Sequence, residues 1–133
     1  QQDKPDDYVI ATGRMETVRK FVEISAKKLG WGGKSNSEAI IWEGKGENEI
    51  GRRKDTNEIV IRVDKRYFRP TEVDQLLGDP TKAFKNLGWN PRTNLEELIS
   101  EMIENDKQEA RKEALLKKEG YKVNGPLESP PNN

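Results

Sequence analysis

Histidine and cysteine are both missing from this chain of 133 residues. Without histidine it lacks the commonest general base near neutral pH and the commonest metal ligand. Without cysteine it has neither a disulfide nor a thiolate metal site. No run approaches the roughly 20 apolar residues of a membrane span, and the polar N-terminus has no apolar signal-peptide segment. An excess of one charge is lacking too: Lys+Arg and Asp+Glu are both 24, interspersed, for a formal net charge of zero. Such a chain has no global field to draw it to nucleic acid or to a membrane surface, so neither is an expected partner. The expected setting is soluble and cytoplasmic.

What is present is mostly charge. Charged residues make up 36% and hydrophobic ones 32%, so a single domain with a modest core and a heavily charged surface is expected. Residues 1–7 read as a polar leader, and the first residue is Gln rather than Met, which suggests a fragment or a processed product. Tyr8-Val9-Ile10-Ala11-Thr12-Gly13 is an apolar run closed by glycine and reads as a buried strand. Thr17 is a natural N-cap, and Val18, Phe21, Val22, Ser25 and Leu29 then share a helical face that ends at Gly30. Strand, turn and helix would make half of a βαβ unit. A flexible loop over 31–37 leads to a strand over 38–44. A long charged loop over 44–57 follows, with Gly51-Arg52-Arg53-Lys54 as its basic tip. Over 58–64 Ile59, Ile61 and Val63 alternate with polar neighbours, the clearest strand pattern in the chain.

Two more helices follow. Asp79 and Pro80 supply the N-cap and first position of a short one that stops at Gly88. Asn94 and Glu97 form a capping-box start to the longest, striped by Leu95, Leu98, Ile99, Met102 and Ile103. Its later half, among many charges, is expected to be a solvated extension or an arm that packs on a partner. Residues 124–133 are rich in Pro, Asn and Gly and read as a disordered tail. The fold class expected is mixed α+β, with short strands and three main helices.

With no His or Cys, catalysis would fall to Asp, Glu, Lys, Tyr, Ser or Thr, and no nucleophile–base pairing stands out. There is no Gly-x-Gly-x-x-Gly before a helix, no phosphate-binding Walker loop and no Tyr-x-x-x-Lys pair. The chain itself therefore reads as non-catalytic and fit to bind an anion. The stretch Tyr67-Phe68-Arg69-Pro70-Thr71-Glu72 draws the eye. Pro70 biases Arg69 toward an extended backbone, and a planar guanidinium matches phosphate oxygens in pairs. Arg69 is either such a contact or an ordinary surface charge. Glu72 either accepts from a ribose hydroxyl or pairs with Arg69. Arg52, Arg53 and Lys54 are weaker anion contacts or simply a solvated charge run. Arg19, beside Val18, is expected to face solvent.

Several stretches carry a resemblance: Tyr8 to Gly13, Val18 to Val22, Trp42-Glu43-Gly44, Val63 through Val73, Leu77 to Ala83, Leu87 to Pro91, Ser100 to Ile103 and Leu116 to Tyr121. They resemble the C-terminal part of the GDP-mannose 4,6-dehydratase family, a branch of the extended short-chain dehydrogenases, from Asp7 to about Val123. The most specific motif is Arg69-Pro-x-Glu-Val with Gly78-Asp79-x-x-Lys82-Ala83. The resemblance implies a small GDP-sugar-binding lobe, residues 8–123, that works beside an NADP-binding Rossmann domain not contained in this sequence. It implies a lyase of nucleotide-sugar metabolism, on the route to GDP-fucose, that acts on GDP-mannose as a dimer or tetramer. It places Arg69 on the diphosphate and Glu72 near the ribose, and leaves the catalytic and cofactor residues outside the chain. Arg14-Met15-Glu16 departs from the sequence commoner in the family before the first helix. The competing reading is a stand-alone, non-catalytic interaction module, or the same lobe of another nucleotide-sugar dehydratase or epimerase.

Overall fold

A computed structural model describes residues 2–34, 38–69 and 76–123. Its elements are α1 (Val18–Lys28), β1 (Ile40–Glu43), β2 (Ile50–Arg53), β3 (Ile59–Arg62), α2 (Thr81–Leu87) and α3 (Leu95–Lys118). The strands form an antiparallel meander in the order β1-β2-β3. Mixed α+β with three helices is thus the observed class. The expectations for Pro70, Glu72 and the 124–133 tail concern residues outside the described set.

Local chemistry explains the helix ends. The Thr17 hydroxyl accepts from Lys20 N, and Lys27 and Lys28 sit in the last turn of α1, where the dipole favours cations. At α3, Asn94 accepts from Glu97 N and Glu97 returns the bond to Asn94 N, which completes the capping box. The start of α2 differs slightly from expectation. Asp79 caps from one residue further out, accepting from Thr81 N at 2.9 Å, and Pro80 takes the cap position itself. Gly88 closes α2 at φ 64, a left-handed conformation that glycine adopts without strain.

Two expectations are corrected. The span 44–57 is no loop, because it contains β2, the central strand of the sheet. Ile50-Gly51-Arg52-Arg53 has no apolar alternation, so its strand character comes from partners on both sides. A bulge lies between Gly51 and Arg52, where the pairing jumps from Ile61 to Ile59. The run 8–13 is the reverse case. It joins no strand among the described residues, so the strand–helix half of a βαβ unit does not form.

The core is small. Ala26 of α1 meets Ala39 and Ile40, and Val22, Trp31, Trp42 and Ile61 pack around them. Gly51 permits this. A Cβ there would lie 3.0–3.2 Å from Ile61 and Ile40, so its missing side chain lets these two isoleucines close over the central strand. On its other side α1 packs on α3, where Ile99 is fully buried. Val18 departs from the helical face expected for it and is 81% exposed.

The segment 6–13 acts as a strap across the start of α2. Lys82 Nζ holds Asp6 at 2.6 Å and the Asp7 carbonyl at 3.0 Å, and it lies over the Tyr8 ring. Gly78 meets the strap so closely that a Cβ would stand 2.6 Å from Ala11 Cβ and 3.2 Å from Val9. Ala83, one turn into α2, is completely buried. The Gly78-Asp79-x-x-Lys82-Ala83 motif is therefore explained first by packing: a close approach, a cap, a clamp and a core methyl. Gly78→Ala is expected to cost roughly 1–3 kcal/mol of unfolding free energy, as overpacking does. Adding Ala11→Gly should recover part of that loss in urea denaturation, and an unchanged midpoint for the single variant would contradict the contact. Val9, Ile10, Leu76 and Leu77 are all more than half exposed. Self-association is expected from that apolar surface, so light scattering of a concentrated solution should exceed the monomer mass.

Candidate functional site

The Arg69 stretch begins where β3 ends. Val63 N donates to the Glu49 carbonyl at 3.4 Å, which extends the sheet contact past Arg62. A turn follows, closed by Tyr67 N donating to the Asp64 carbonyl at 3.0 Å. The Arg66 guanidinium pairs with Asp64 through Nη2 at 2.6 Å and Nε at 3.0 Å, and it lies over the Tyr67 ring. Hydrogen bonding from Arg66 lowers the Asp64 pKa, and the same bond raises that of Arg66. Phe68 packs on Gly46, where a Cβ would come within 3.7 Å of its ring. Arg69 emerges from this braced turn as an exposed residue that is itself engaged by the chain. Glu72, its sequence companion, lies outside the described residues.

The other cations named from sequence are occupied within the fold. Arg52 Nε binds Glu43 at 3.1 Å, and its Nη1 donates to the Asn57 carbonyl at 3.3 Å. Arg53 forks onto Asp55 at 2.7 and 3.0 Å and lies over the Trp31 ring at 4.6 Å. Lys54 faces Glu38 at 3.8 Å. Arg19 is exposed, as expected, and it also pairs with Glu49 and covers the Trp42 ring at 4.3 Å. Trp42 Nε1 donates to Glu23 at 3.1 Å, so Glu23, Trp42, Arg19 and Glu49 run as one chain from α1 across the sheet. Long side chains and their carboxylates thus brace the hairpin, and Arg52 is part of that bracing.

Sequence reasoning passed over a cleft of 530 Å³ between the strap and the start of α3. Its lining includes Arg14, Glu16, Asn90 and Arg92 together with the apolar Leu95 and Leu98. Its walls come from residues far apart in sequence, so no local motif marks it. Among the described residues no group of three or more His, Cys, Asp or Glu could hold a metal ion. Among the described residues no helix is long and apolar enough to cross a membrane. The described residues also do not fit a dinucleotide cofactor. Its pyrophosphate needs a glycine-rich turn from a parallel strand into a helix N-terminus, and here the sheet is an antiparallel meander.

Four carboxylates titrate below the usual range: Asp6 through the Lys82 side chain, Asp55 through Arg53, Asp64 through Arg66 and Asp79 through Thr81. Because each is more acidic folded than unfolded, each contributes stability in full above the unfolded value of about 4. That contribution disappears as pH falls through the lower folded values. The urea midpoint should therefore hold steady at moderately acidic pH and drop below about pH 4. Asp79→Asn, which keeps an acceptor at the cap, should make that drop smaller, and an acid limb of unchanged size would exclude Asp79 from it.

Comparison with known proteins places this geometry in a family. The family described as GDP-mannose 4,6 dehydratase matches residues 1–102. The GDP-mannose 4,6-dehydratase of Yersinia enterocolitica is 47% identical over 97% of this chain and 36% of its own length. The GDP-mannose 4,6 dehydratase of Homo sapiens is 49% identical over 80% of this chain and 27% of its own. A Vibrio cholerae GDP-mannose 4,6-dehydratase is 43% identical over 96% and 35% respectively. The chain thus spans only about a third of the length of these relatives. With more than three-quarters of its residues inside the family match, the chain belongs to the GDP-mannose 4,6 dehydratase family.

Proposed function

We propose that this chain supplies the GDP-sugar-binding part of a GDP-mannose 4,6-dehydratase and binds rather than reacts. The observation that carries the reading is the family match across residues 1–102, which includes the whole Arg69 stretch. The braced turn at Asp64–Phe68 supports it, because it delivers Arg69 from the end of β3 on a fixed backbone. In this reading Arg69 forks onto the diphosphate and Glu72 accepts from the ribose hydroxyls. Arg52 acts indirectly, since its pairing with Glu43 holds the hairpin beside that site.

The full reaction oxidises C4 of the mannose, eliminates water across C5 and C6 and returns the hydride, giving GDP-4-keto-6-deoxymannose. NADP, held by a separate Rossmann domain, supplies the hydride carrier. The residues of this chain orient the substrate from the nucleotide end, and the reacting groups belong to that other domain. A homodimer or homotetramer in the cytoplasm is the corresponding assembly. The extent of the family match favours this reading over a stand-alone interaction module, or a lobe of another nucleotide-sugar enzyme.

Titration with GDP and GDP-mannose tests it, followed by amide NMR on this chain and on a fusion of it to a relative's Rossmann domain. Saturable binding is expected. Arg69→Ala should abolish it without unfolding the chain, and Glu72→Gln should weaken it about tenfold, the usual scale for losing one charge-assisted bond. Arg52→Ala should leave affinity within about threefold, because an exposed ion pair contributes little. No saturable binding by either protein would overturn the proposal.

A further inference from the structure

The cleft between the strap and α3 has a chemistry of its own. Its two guanidiniums come from separate segments, Arg14 from just after the strap and Arg92 from the connection between α2 and α3. Neither side chain makes a hydrogen bond or an ion pair among the described residues. That sets them apart from Arg19, Arg52, Arg53 and Arg66, each of which has a carboxylate partner. The same lining holds a single acid, Glu16, so the local balance favours an anion.

The N-terminus of α3 does not account for this character. Its capping box already uses the Asn94 and Glu97 amides, and Glu96 and Glu97 offset its dipole. The positive charge of the cleft therefore lies in the arginines. The same lining has an apolar part, Leu95 and Leu98, and Asn90 adds an amide. A volume of 530 Å³ falls within the range of small-ligand sites, which pair an apolar lining with a few fixed polar groups. We propose that this cleft binds a small organic oxyanion, its charged head between Arg14 and Arg92 and its apolar body on Leu95 and Leu98. A planar guanidinium fork accepts a phosphate or a carboxylate head equally well in geometry, so the shared chemistry is an oxyanion on a compact apolar body. The site uses none of the residues assigned to the GDP-sugar.

Phenyl phosphate, benzoate, inorganic phosphate and benzyl alcohol serve as probes, titrated into the labelled whole chain and followed by amide NMR. Shifts are expected at Thr12, Arg14, Thr93 and Leu95 with phenyl phosphate or benzoate, and the stronger of the two identifies the head group. Inorganic phosphate should bind the same residues more weakly, and benzyl alcohol should leave them unmoved. Arg14→Gln and Arg92→Gln should each weaken binding about tenfold, whereas Arg69→Ala should not change it. Leu98→Ala should weaken phenyl phosphate without affecting inorganic phosphate, which separates loss of the apolar lining from loss of the fold. Equal binding of benzyl alcohol, shifts that follow Arg69 instead, or an absence of shifts at 10 mM probe, on the order of the weakest specific ligands, would overturn the assignment.

Discussion

Ile40 and Ile61 reach each other over Gly51, and the remainder of the lobe rests on that closure. The helix face around Ala26 has only this patch of sheet to cover. A methyl at Gly51 would require the two isoleucines to give way by a few tenths of an ångström. The sheet in turn fixes the hairpin, and the end of its third strand fixes the turn from which Arg69 emerges. A glycine in a central strand normally weakens it. Here its lack of a Cβ is what the core requires.

Arginines do the rest of the bracing. A core of five buried apolar residues among those described is small for a sheet and three helices. Arg19 on Trp42 and Arg53 on Trp31 extend it outward, each stacking a guanidinium on a half-buried indole while a carboxylate holds its other edge. The apolar stems and flat faces of these side chains cover surface that aliphatic residues would cover in a larger domain. The basic residues that the sequence singled out, Arg52, Arg53 and Lys54, all have carboxylate partners within the chain.

Much of this was legible beforehand. The three helices follow from Thr17, Asp79 and the Asn94–Glu97 pair, because caps are local chemistry. β1 and β3 were both read as strands, β3 from its alternation. β2 was not legible: Gly51-Arg52-Arg53 has low strand preference, and only two neighbouring strands make it one. Tyr8 to Gly13 misled in the opposite sense, since an apolar run signals burial without saying against what, and Gly78 rather than a strand is what it meets. Arg69 was legible as a place in the chain, and its family resemblance agreed with the match found. The Arg14–Arg92 cleft was not, because its two walls lie nearly eighty residues apart and neither half has a pattern by itself.

The pairing of arginines with nearby acids has a kinetic meaning. Each such pair is a short dipole whose field fades within a Debye length, about 8 Å at physiological salt. A negatively charged ligand approaching this lobe is not drawn in from a distance and meets an attractive potential only near contact. Its capture should then run at the rate of ordinary oriented encounters, about 10⁵–10⁷ M⁻¹s⁻¹, and change little with added salt. Selectivity in such a molecule resides in how long an anion stays rather than in how quickly it arrives.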